Sequence, residues 1–221
     1  LQAEHENLLA GMDWAYAAEE WEMVRSFVSA TEFYLRTRGY WNEDKIRLEQ
    51  VTKACVNLGD KSGVSRSLHQ LGMLAQDTGD IAEARRLYGE SLKILQELGD
   101  KSGVSRSLHQ LGILAQNTGD IAEARRLYGE SLKIKQELGD KSGVAITLAQ
   151  FALMEEKEGN LVQALDLIRT AEKMFLELGS PTAVQAQRVR ERLEQGPQDK
   201  PSSSGRLKDG WDLVESGLME S

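Results

Sequence analysis

The sequence contains very few residues that cross-link, interrupt or anchor a chain. Its 221 residues include one cysteine, Cys55, and three prolines. A single cysteine cannot form an internal disulfide, so nothing indicates a small secreted domain held by disulfides. No apolar run approaches the roughly 18 residues of a membrane span, and no signal peptide is present. Because the chain opens with Leu1, we expect a fragment of a larger soluble, cytoplasmic protein without a membrane partner.

Basic residues are outnumbered by acidic ones. Lys and Arg total 27 and Asp and Glu total 35, which gives a formal net charge of −8. Binding to phosphate backbones requires a basic surface, so nucleic acid is not an expected partner. Apolar residues make up 40% of the chain, which is enough to build a packed core.

A 40-residue repeat dominates the sequence. Residues 61–100 recur at 101–140 with three substitutions, in which Met73, Asp77 and Leu95 become Ile113, Asn117 and Lys135. A diverged copy occupies 141–180 and a weaker copy occupies 21–60. Repeats with a period of this length are typical of solenoids, whose units stack on their neighbours.

Each repeat is predicted to form two helices. In 61–100, Asp60 is a candidate N-cap, and Asp80 with Glu83 forms a capping box for the second helix. Asn160 with Gln163 repeats that pattern in the last unit. Both helices show apolar residues at helical spacing, with Tyr88 and Tyr128 on core-facing stripes, and no strand pattern appears. Helices should end near the glycines that recur every 20 residues, at Gly39, Gly59, Gly79, Gly99, Gly119, Gly139, Gly159 and Gly179.

Stacked helix pairs give an all-α fold, a right-handed superhelical α-solenoid with a concave surface. The residues Leu71-Gly72, Ala75, Gly79, Ala84, Tyr88 and Ile94 closely resemble the tetratricopeptide repeat. The 40-residue period is similar to that of kinesin light chains, cell-polarity scaffolds and STAND/NB-ARC-type signalling ATPases. Asp13-Trp14 and Arg38-Gly39-Tyr40-Trp41 resemble the segment that joins the nucleotide-binding part of such ATPases to their repeat sensor.

The expected organisation has five parts. An N-terminal helix (1–20) precedes four repeats, and a capping helix that starts at Ser180-Pro181 follows them (181–195). The repeats are 21–60, 61–100, 101–140 and 141–180. A flexible linker (196–205) leads to an amphipathic tail (206–221) with apolar and acidic residues. The tail is either a ligand-like peptide for the groove, in cis or in trans, the start of another domain, or an artificial extension.

No constellation of catalytic or metal-binding residues is apparent. The histidines His5, His69 and His109 are far apart, and no His or Cys pair has the spacing of a metal site. Lys61-Ser62 beside glycines lacks the P-loop spacing and follows a helix rather than a strand. Glu155-Glu156 is interpreted as solvated surface. We therefore expect no enzyme activity, no catalytic residues and no cofactor.

The resemblance implies that the first helices line a ligand-binding groove. The predicted groove residues are Arg66, His69, Met73, Gln76, Arg106, His109, Ile113, Gln116, Ile146, Ala149 and Leu153. They are basic and polar in the earlier repeats and apolar in 141–180, which predicts a protein or peptide ligand with acidic and apolar residues. Alternatively, Arg66 pairs with an acidic neighbour, His69 packs, and a recent duplication copied neutral residues. The pairs Arg85-Arg86 and Arg125-Arg126 are interpreted as solvated faces paired with Glu.

Two functions follow from these expectations. The first is a non-catalytic sensor region of a larger signalling ATPase that binds a protein or peptide. The alternative is a free-standing scaffold that bridges two proteins. Both use the same fold, so the fold does not distinguish them.

Overall fold

The computed structural model describes residues 2–26 and 38–195, with side chains described from Glu6 onward. Within these ranges the regular structure is helical and no strand occurs. Residues 21–26 are helical up to the edge of the described part. The remaining helices are α1 (Gln2–Ala17), α2 (Trp41–Asn57), α3 (Lys61–Asp77), α4 (Ile81–Leu98), α5 (Lys101–Asn117), α6 (Ile121–Glu137), α7 (Lys141–Lys157), α8 (Leu161–Glu177) and α9 (Ala183–Gln195).

The predicted fold class is confirmed, because consecutive helices pack as antiparallel pairs. Helices α3 and α4 form one such pair, and α7 and α8 form another. Three-residue connections join the helices of each pair, which forces neighbouring helices to run in opposite directions. None of the described helices is long and apolar enough to cross a membrane.

Aspartate caps start the first helix of successive repeats. The side chains of Asp60, Asp100 and Asp140 accept hydrogen bonds from the backbone N–H groups three residues on, at 2.8, 2.9 and 2.8 Å. Asp80 accepts from the N–H of Glu83 at 3.1 Å. These bonds satisfy backbone donors that have no partner inside the helix.

At two helix starts the structure differs from the prediction in one respect each: α8 begins directly after Asn160, as predicted, but lacks the predicted cap bond, and α9 begins later than predicted. Asn160 makes no side-chain cap, because its amide donates instead to the buried carboxylate of Glu155 at 2.7 Å. Helix α9 begins at Ala183, two residues later than Pro181 indicated. The first backbone bonds there run from Ala183 to Ser180 and from Val184 to Pro181, so a tighter turn precedes the α-helix.

The predicted helix ends coincide with glycines in a left-handed conformation. The eight glycines from Gly39 to Gly179 have φ angles between 63° and 85°. Gly99 directly follows a described helix, and six of the others lie two residues after the last residue of one. A side chain is strained at such φ angles, which is why glycine recurs every 20 residues.

The chain divides into two compact units, residues 1–120 and residues 121–221. In the first unit, Tyr88 of α4 is fully buried and lies against α3 at Gly72, where an added Cβ would approach the tyrosine ring to 2.7 Å. In the second unit, Ile168 and Phe175 of α8 are fully buried among residues of α7 and α9. Tyr88 and Tyr128 are both core residues, as predicted.

Candidate functional site

The predicted groove residues of the first unit differ in accessibility. Arg66 and Arg106 are exposed. Half-buried positions are His69, Met73, Gln76 and Gln116. His109 and Ile113 are buried, at 2% and 6% exposure. We define the first-helix face as the accessible set of α3 and α5, namely Arg66, His69, Met73, Gln76, Arg106 and Gln116.

The predicted groove residues of the second unit lie mainly in its core. Ile146 and Ala149 are buried members of the hydrophobic cluster formed by α7, α8 and α9. Leu153 is half-buried and packs against the same cluster. These apolar side chains therefore contribute to packing in this unit.

Tyr88 of α4 holds part of the first-helix face in place. Its ring lies 5.1 Å from the ring of His69, tilted by 53°. Its hydroxyl donates to Oε1 of Gln76 at 3.3 Å. Met73 packs against the core cluster of the same unit. Three residues that could contact a ligand, His69, Met73 and Gln76, are thus supported by Tyr88 and its core cluster, which limits the entropy lost on binding.

Arginines on the second helices are ion-paired. Arg86 lies 2.6 Å from Glu83 and 2.7 Å from Glu90, and Arg126 lies 2.6 Å from both Glu123 and Glu130. Hydrogen bonds that the guanidinium groups donate to these carboxylates raise the pKa of both arginines. The predicted solvated faces are confirmed for Arg86 and Arg126.

The two arginines of the first-helix face differ from Arg86 and Arg126 in their partners. Neither Arg66 nor Arg106 makes a hydrogen bond or ion pair within the ranges that the structure describes. Arg66 lies near Asp60, whose pKa is lowered mainly by the Gly63 N–H, further by Arg25 and slightly by Arg66. The donors of both guanidinium groups are therefore available to an outside acceptor.

Glu155 was predicted at the surface and is instead fully buried. Its carboxylate contacts Arg125 at 2.9 Å and accepts from Asn160, while Arg125 stacks over Phe151 at 6.0 Å. The prediction was wrong because the place of Glu155 within the repeat, and not its charge, determines that it is buried. Ala75 and Ala115, both buried, occupy the equivalent position in the earlier repeats and mark it as a core position.

The sequence analysis did not predict the burial of two further charged side chains, Lys135 and Arg47. Lys135 is buried where Leu95 stands one repeat earlier, and its Nζ donates to Thr147 Oγ1 at 3.0 Å. Arg47 of α2 is buried and pairs with Asp13 of α1 and with Glu43 at 2.6 Å. The hydrogen bond from Arg47 lowers the pKa of Asp13. These side chains join packed helices.

Residues suited to metal or thiol chemistry are not brought together. Among the described residues, no three His, Cys, Asp or Glu side chains converge on a possible metal position. The Cys55 thiol is buried, and the loss of solvent raises its pKa, which disfavours the reactive thiolate.

Comparison with known families decides the assignment. The tetratricopeptide repeat model matches residues 63–137 and 103–177, which together cover more than half of the chain. The chain belongs to the tetratricopeptide repeat family. No curated protein matches the sequence significantly.

Solved structures of other proteins share this fold at low sequence identity. BtubC (BKLC) from P. vanneervenii has a TM-score of 0.65 and 16% identity, over 91% of this chain and 96% of that one. A putative kinesin light chain from Podosopora anserina with nearly identical TPR-like repeats has a TM-score of 0.62 and 18% identity, over 80% and 86%. A STAND protein with a tetratricopeptide repeat sensor from Pyrococcus horikoshii has a TM-score of 0.60 and 14% identity, over 97% of this chain and 36% of that one.

Proposed function

We propose that this tetratricopeptide chain is a non-catalytic interaction module that binds a segment of another protein through its first-helix face. The observation that carries the proposal is the support of this face by Tyr88, which fixes His69 and Gln76 beside the exposed Arg66. Tetratricopeptide repeats are interaction modules, and a preorganised, accessible and polar face is the part of the first unit best suited to a ligand.

The proposed biological setting is the sensor region of a larger signalling ATPase. This rests on the likeness of Asp13-Trp14 and Arg38-Gly39-Tyr40-Trp41 to the segment that precedes such sensors. The similar fold of the Pyrococcus horikoshii STAND protein is consistent with it. A nucleotide-binding motif encoded upstream of Leu1 supports the sensor, whereas its absence from the full gene favours a free-standing scaffold.

We further propose that the chain neither binds nor hydrolyses ATP. The Lys61-Ser62 sequence lies at the start of α3, where Asp60 occupies the helix N-terminus as its cap. A carboxylate there competes with a phosphate for the same backbone donors. Calorimetry with ATP is expected to show no stoichiometric binding, and micromolar binding contradicts the proposal.

Selection from a library tests the proposed binding directly. Random 12-residue peptides are displayed and selected on the immobilised full chain, and enriched peptides are measured against it by fluorescence anisotropy. The proposal predicts binders that lose affinity for a Met73→Lys variant, because a long charged side chain then crosses the face. The matched control is Lys133→Met on the exposed side of α6, which should bind normally. A library that yields no binder, or only binders indifferent to Met73→Lys, contradicts the proposal.

The predicted tail ligand, residues 206–221, lies outside the described residues. Its sequence combines apolar residues such as Trp211 and Leu213 with acidic ones. We propose that it competes for the same face in cis or in trans. A synthetic 206–221 peptide should displace a selected binder from a chain ending at Lys200, and failure to displace it makes the tail a bystander.

A further inference from the structure

One exposed line of side chains on α8 has an apolar residue at each end and charged residues between them. At steps of four and three residues, which keep to one side of a helix, it consists of Val162, Asp166, Arg169, Lys173 and Leu176. Val162 is 78% exposed and Leu176 is 64% exposed. We call these five residues the α8 stripe.

The second helices of the two preceding repeats have a different pattern at the equivalent positions. In both of them the five residues are Ala, Arg, Gly, Lys and Gln, which in α4 are Ala82, Arg86, Gly89, Lys93 and Gln96. In α8 both ends are apolar, and the second position is acidic instead of basic. Because the α8 stripe is exposed, burial within its own unit does not account for the apolar ends.

The α8 stripe is complementary to itself when two copies of the helix lie antiparallel. Val162 and Leu176 are each seven residues from Arg169, so a twofold axis at Arg169 places Val162 opposite Leu176 of a second copy. Asp166 lies three residues before this centre and Lys173 four residues after it. These opposite charges therefore face each other with an offset of one residue, about 1.5 Å along the helix.

The same arrangement is unfavourable for the preceding second helices. In α4 it would place Arg86 opposite Lys93 of the second copy, and Ala82 opposite Gln96. Like charges that face each other disfavour an association. Asp166 replaces this repulsion by an attraction, so α8 is suited to self-association in a way that α4 and α6 are not.

The charged residues of the α8 stripe are available for such a contact. No residue in the described part of the chain pairs with the Asp166 carboxylate, and the ion pair of Lys173 there is a long one, 4.0 Å to Glu177. At the centre, Arg169 meets Arg169 of the second copy. Its guanidinium lies 2.9 Å from Glu194 of α9, which offsets the like-charge repulsion.

We propose that the chain forms a twofold-symmetric dimer in which the α8 stripe packs against the α8 stripe of a second copy. One pair of helices is a small contact, so we expect a weak dimer with a Kd of roughly 10–100 µM. The α8 stripe shares no residue with the first-helix face, and the dimer goes beyond the proposed function. It carries two first-helix faces, which strengthens binding to a partner that has two suitable segments.

Analytical ultracentrifugation of the full chain at about 1–500 µM tests the dimer. The natural chain should change from monomer to dimer within this range. Val162→Ala/Leu176→Gln restores the residues of the preceding repeats at two exposed positions, so the circular dichroism spectrum and thermal unfolding should be unchanged. The same variant should weaken the dimer roughly tenfold or more, because it removes the apolar contacts at both ends.

Charge reversal tests the antiparallel pairing. Asp166→Lys and Lys173→Asp each place like charges opposite one another, so each variant alone should be monomeric over the same range. An equimolar mixture of the two variants should dimerise again, because opposite charges then face each other at both pairs of positions. The matched control is Glu130→Lys on the exposed side of α6, which makes the same change in net charge as Asp166→Lys and should dimerise like the natural chain.

Three results overturn the proposal. The first is a natural chain that stays monomeric at every concentration. The second is a dimer that survives Val162→Ala/Leu176→Gln, or charge variants whose mixture does not dimerise, since the contact then lies elsewhere. The third is growth beyond a dimer, which indicates a contact between two different faces. Each of these leaves peptide binding by the first-helix face standing.

Discussion

Glycines at two helix-interior positions have different roles in this chain. Packing requires Gly72 of α3, because a Cβ at this position would lie 2.7 Å from the ring of Tyr88. Gly89 of α4 and Gly129 of α6 have no atom within 4 Å of an added Cβ. The equivalent positions of the outer repeats hold Glu49 and Arg169, so a side chain is accommodated there.

We predict that Gly89→Ala and Gly129→Ala each stabilise the protein by about 1 kcal/mol, because alanine loses less backbone entropy in a helix. The control Gly72→Ala should destabilise it by roughly 1–3 kcal/mol through overpacking. Urea unfolding followed by circular dichroism measures all three. A destabilising Gly89→Ala would reveal a packing role that the structure does not show.

The pair formed by Arg125 and Glu155 should respond asymmetrically to mutation. Among the residues that the structure describes, Arg125→Ala leaves the fully buried carboxylate with Asn160 as its remaining partner, so we expect a loss of roughly 2 kcal/mol or more. Glu155→Ala restores the alanine of the earlier repeats and should change stability by less than about 1 kcal/mol.

The matched control for this pair is Arg85→Ala. Arg85 is equivalent to Arg125, and the contact that the structure shows for it is Thr118 Oγ1 at 3.4 Å. Its removal should cost less than about 1 kcal/mol. Equal effects of Arg85→Ala and Arg125→Ala in thermal unfolding would show that the buried carboxylate is not what makes Arg125 matter.

For single residues, the sequence predicts the burial of apolar side chains but not that of polar ones. Tyr88 could be placed in the core because its position on an apolar stripe is a local signal. Glu155 and Lys135 could not, because their polar side chains break the pattern and their partners come from the neighbouring helix. Comparison of equivalent positions, where Ala115 and Leu95 stand, provides the missing signal.

At the scale of the helix, local chemistry determines where elements begin and end. Asp60 combines a cap, in which it accepts from Gly63, with an ion pair to Arg25 at 3.1 Å. Such signals lie within three residues of the boundary, so the sequence predicted most starts and stops. Helix α8 begins directly after Asn160, as predicted, but the side-chain cap is missing and the Asn160 amide donates to Glu155, whose burial the sequence did not indicate.

The cap at Asp60 predicts a pH-dependent effect. The Gly63 N–H, followed by Arg25, lowers the pKa of Asp60, so its stabilising contribution is present above the unfolded-state pKa of about 3.9 and is lost as the pH falls through the lower folded-state pKa. Asp60→Ala should therefore cost about 1 kcal/mol at pH 7 and less at pH 3.

Unfolding of Asp60→Ala, Asp60→Asn and the natural chain at both pH values measures this. Asparagine keeps the cap acceptor without the charge, so Asp60→Asn should lie between the other two at pH 7. If the stability lost by Asp60→Ala is larger at pH 3 than at pH 7, the proposed role of the charged Asp60 cap is contradicted.

At the scale of the whole chain, the near-identity of repeats 61–100 and 101–140 predicts that one can replace the other. Removing 101–140 joins Asp100 to Lys141, and removing 61–100 joins Asp60 to Lys101. Each junction recreates the Leu-Gly-Asp-Lys sequence of a natural one, with its aspartate cap. The two shortened chains differ only at the three substituted positions, so they are controls for each other.

We predict that both shortened chains fold cooperatively, with lower stability than the natural chain, because repeat stabilities add along a solenoid. The chain without 101–140 should be at least as stable as the other, since Leu95 then takes the place of the buried Lys135. Circular dichroism and urea unfolding test this. A shortened chain that is unfolded or aggregates contradicts the interchangeability of the repeats.

The most direct test of the proposed binding face is photo-crosslinking of a selected peptide to the natural chain. The peptide carries a photoreactive group beside one acidic residue, and digestion with mass spectrometry locates the attachment. The fragments of 61–77 and 101–117 differ in mass, because Met73 and Asp77 become Ile113 and Asn117. We predict attachment within these first helices and its loss in Arg66→Ala/Arg106→Ala. Attachment confined to the second helices, residues 81–98 and 121–137, would contradict the account.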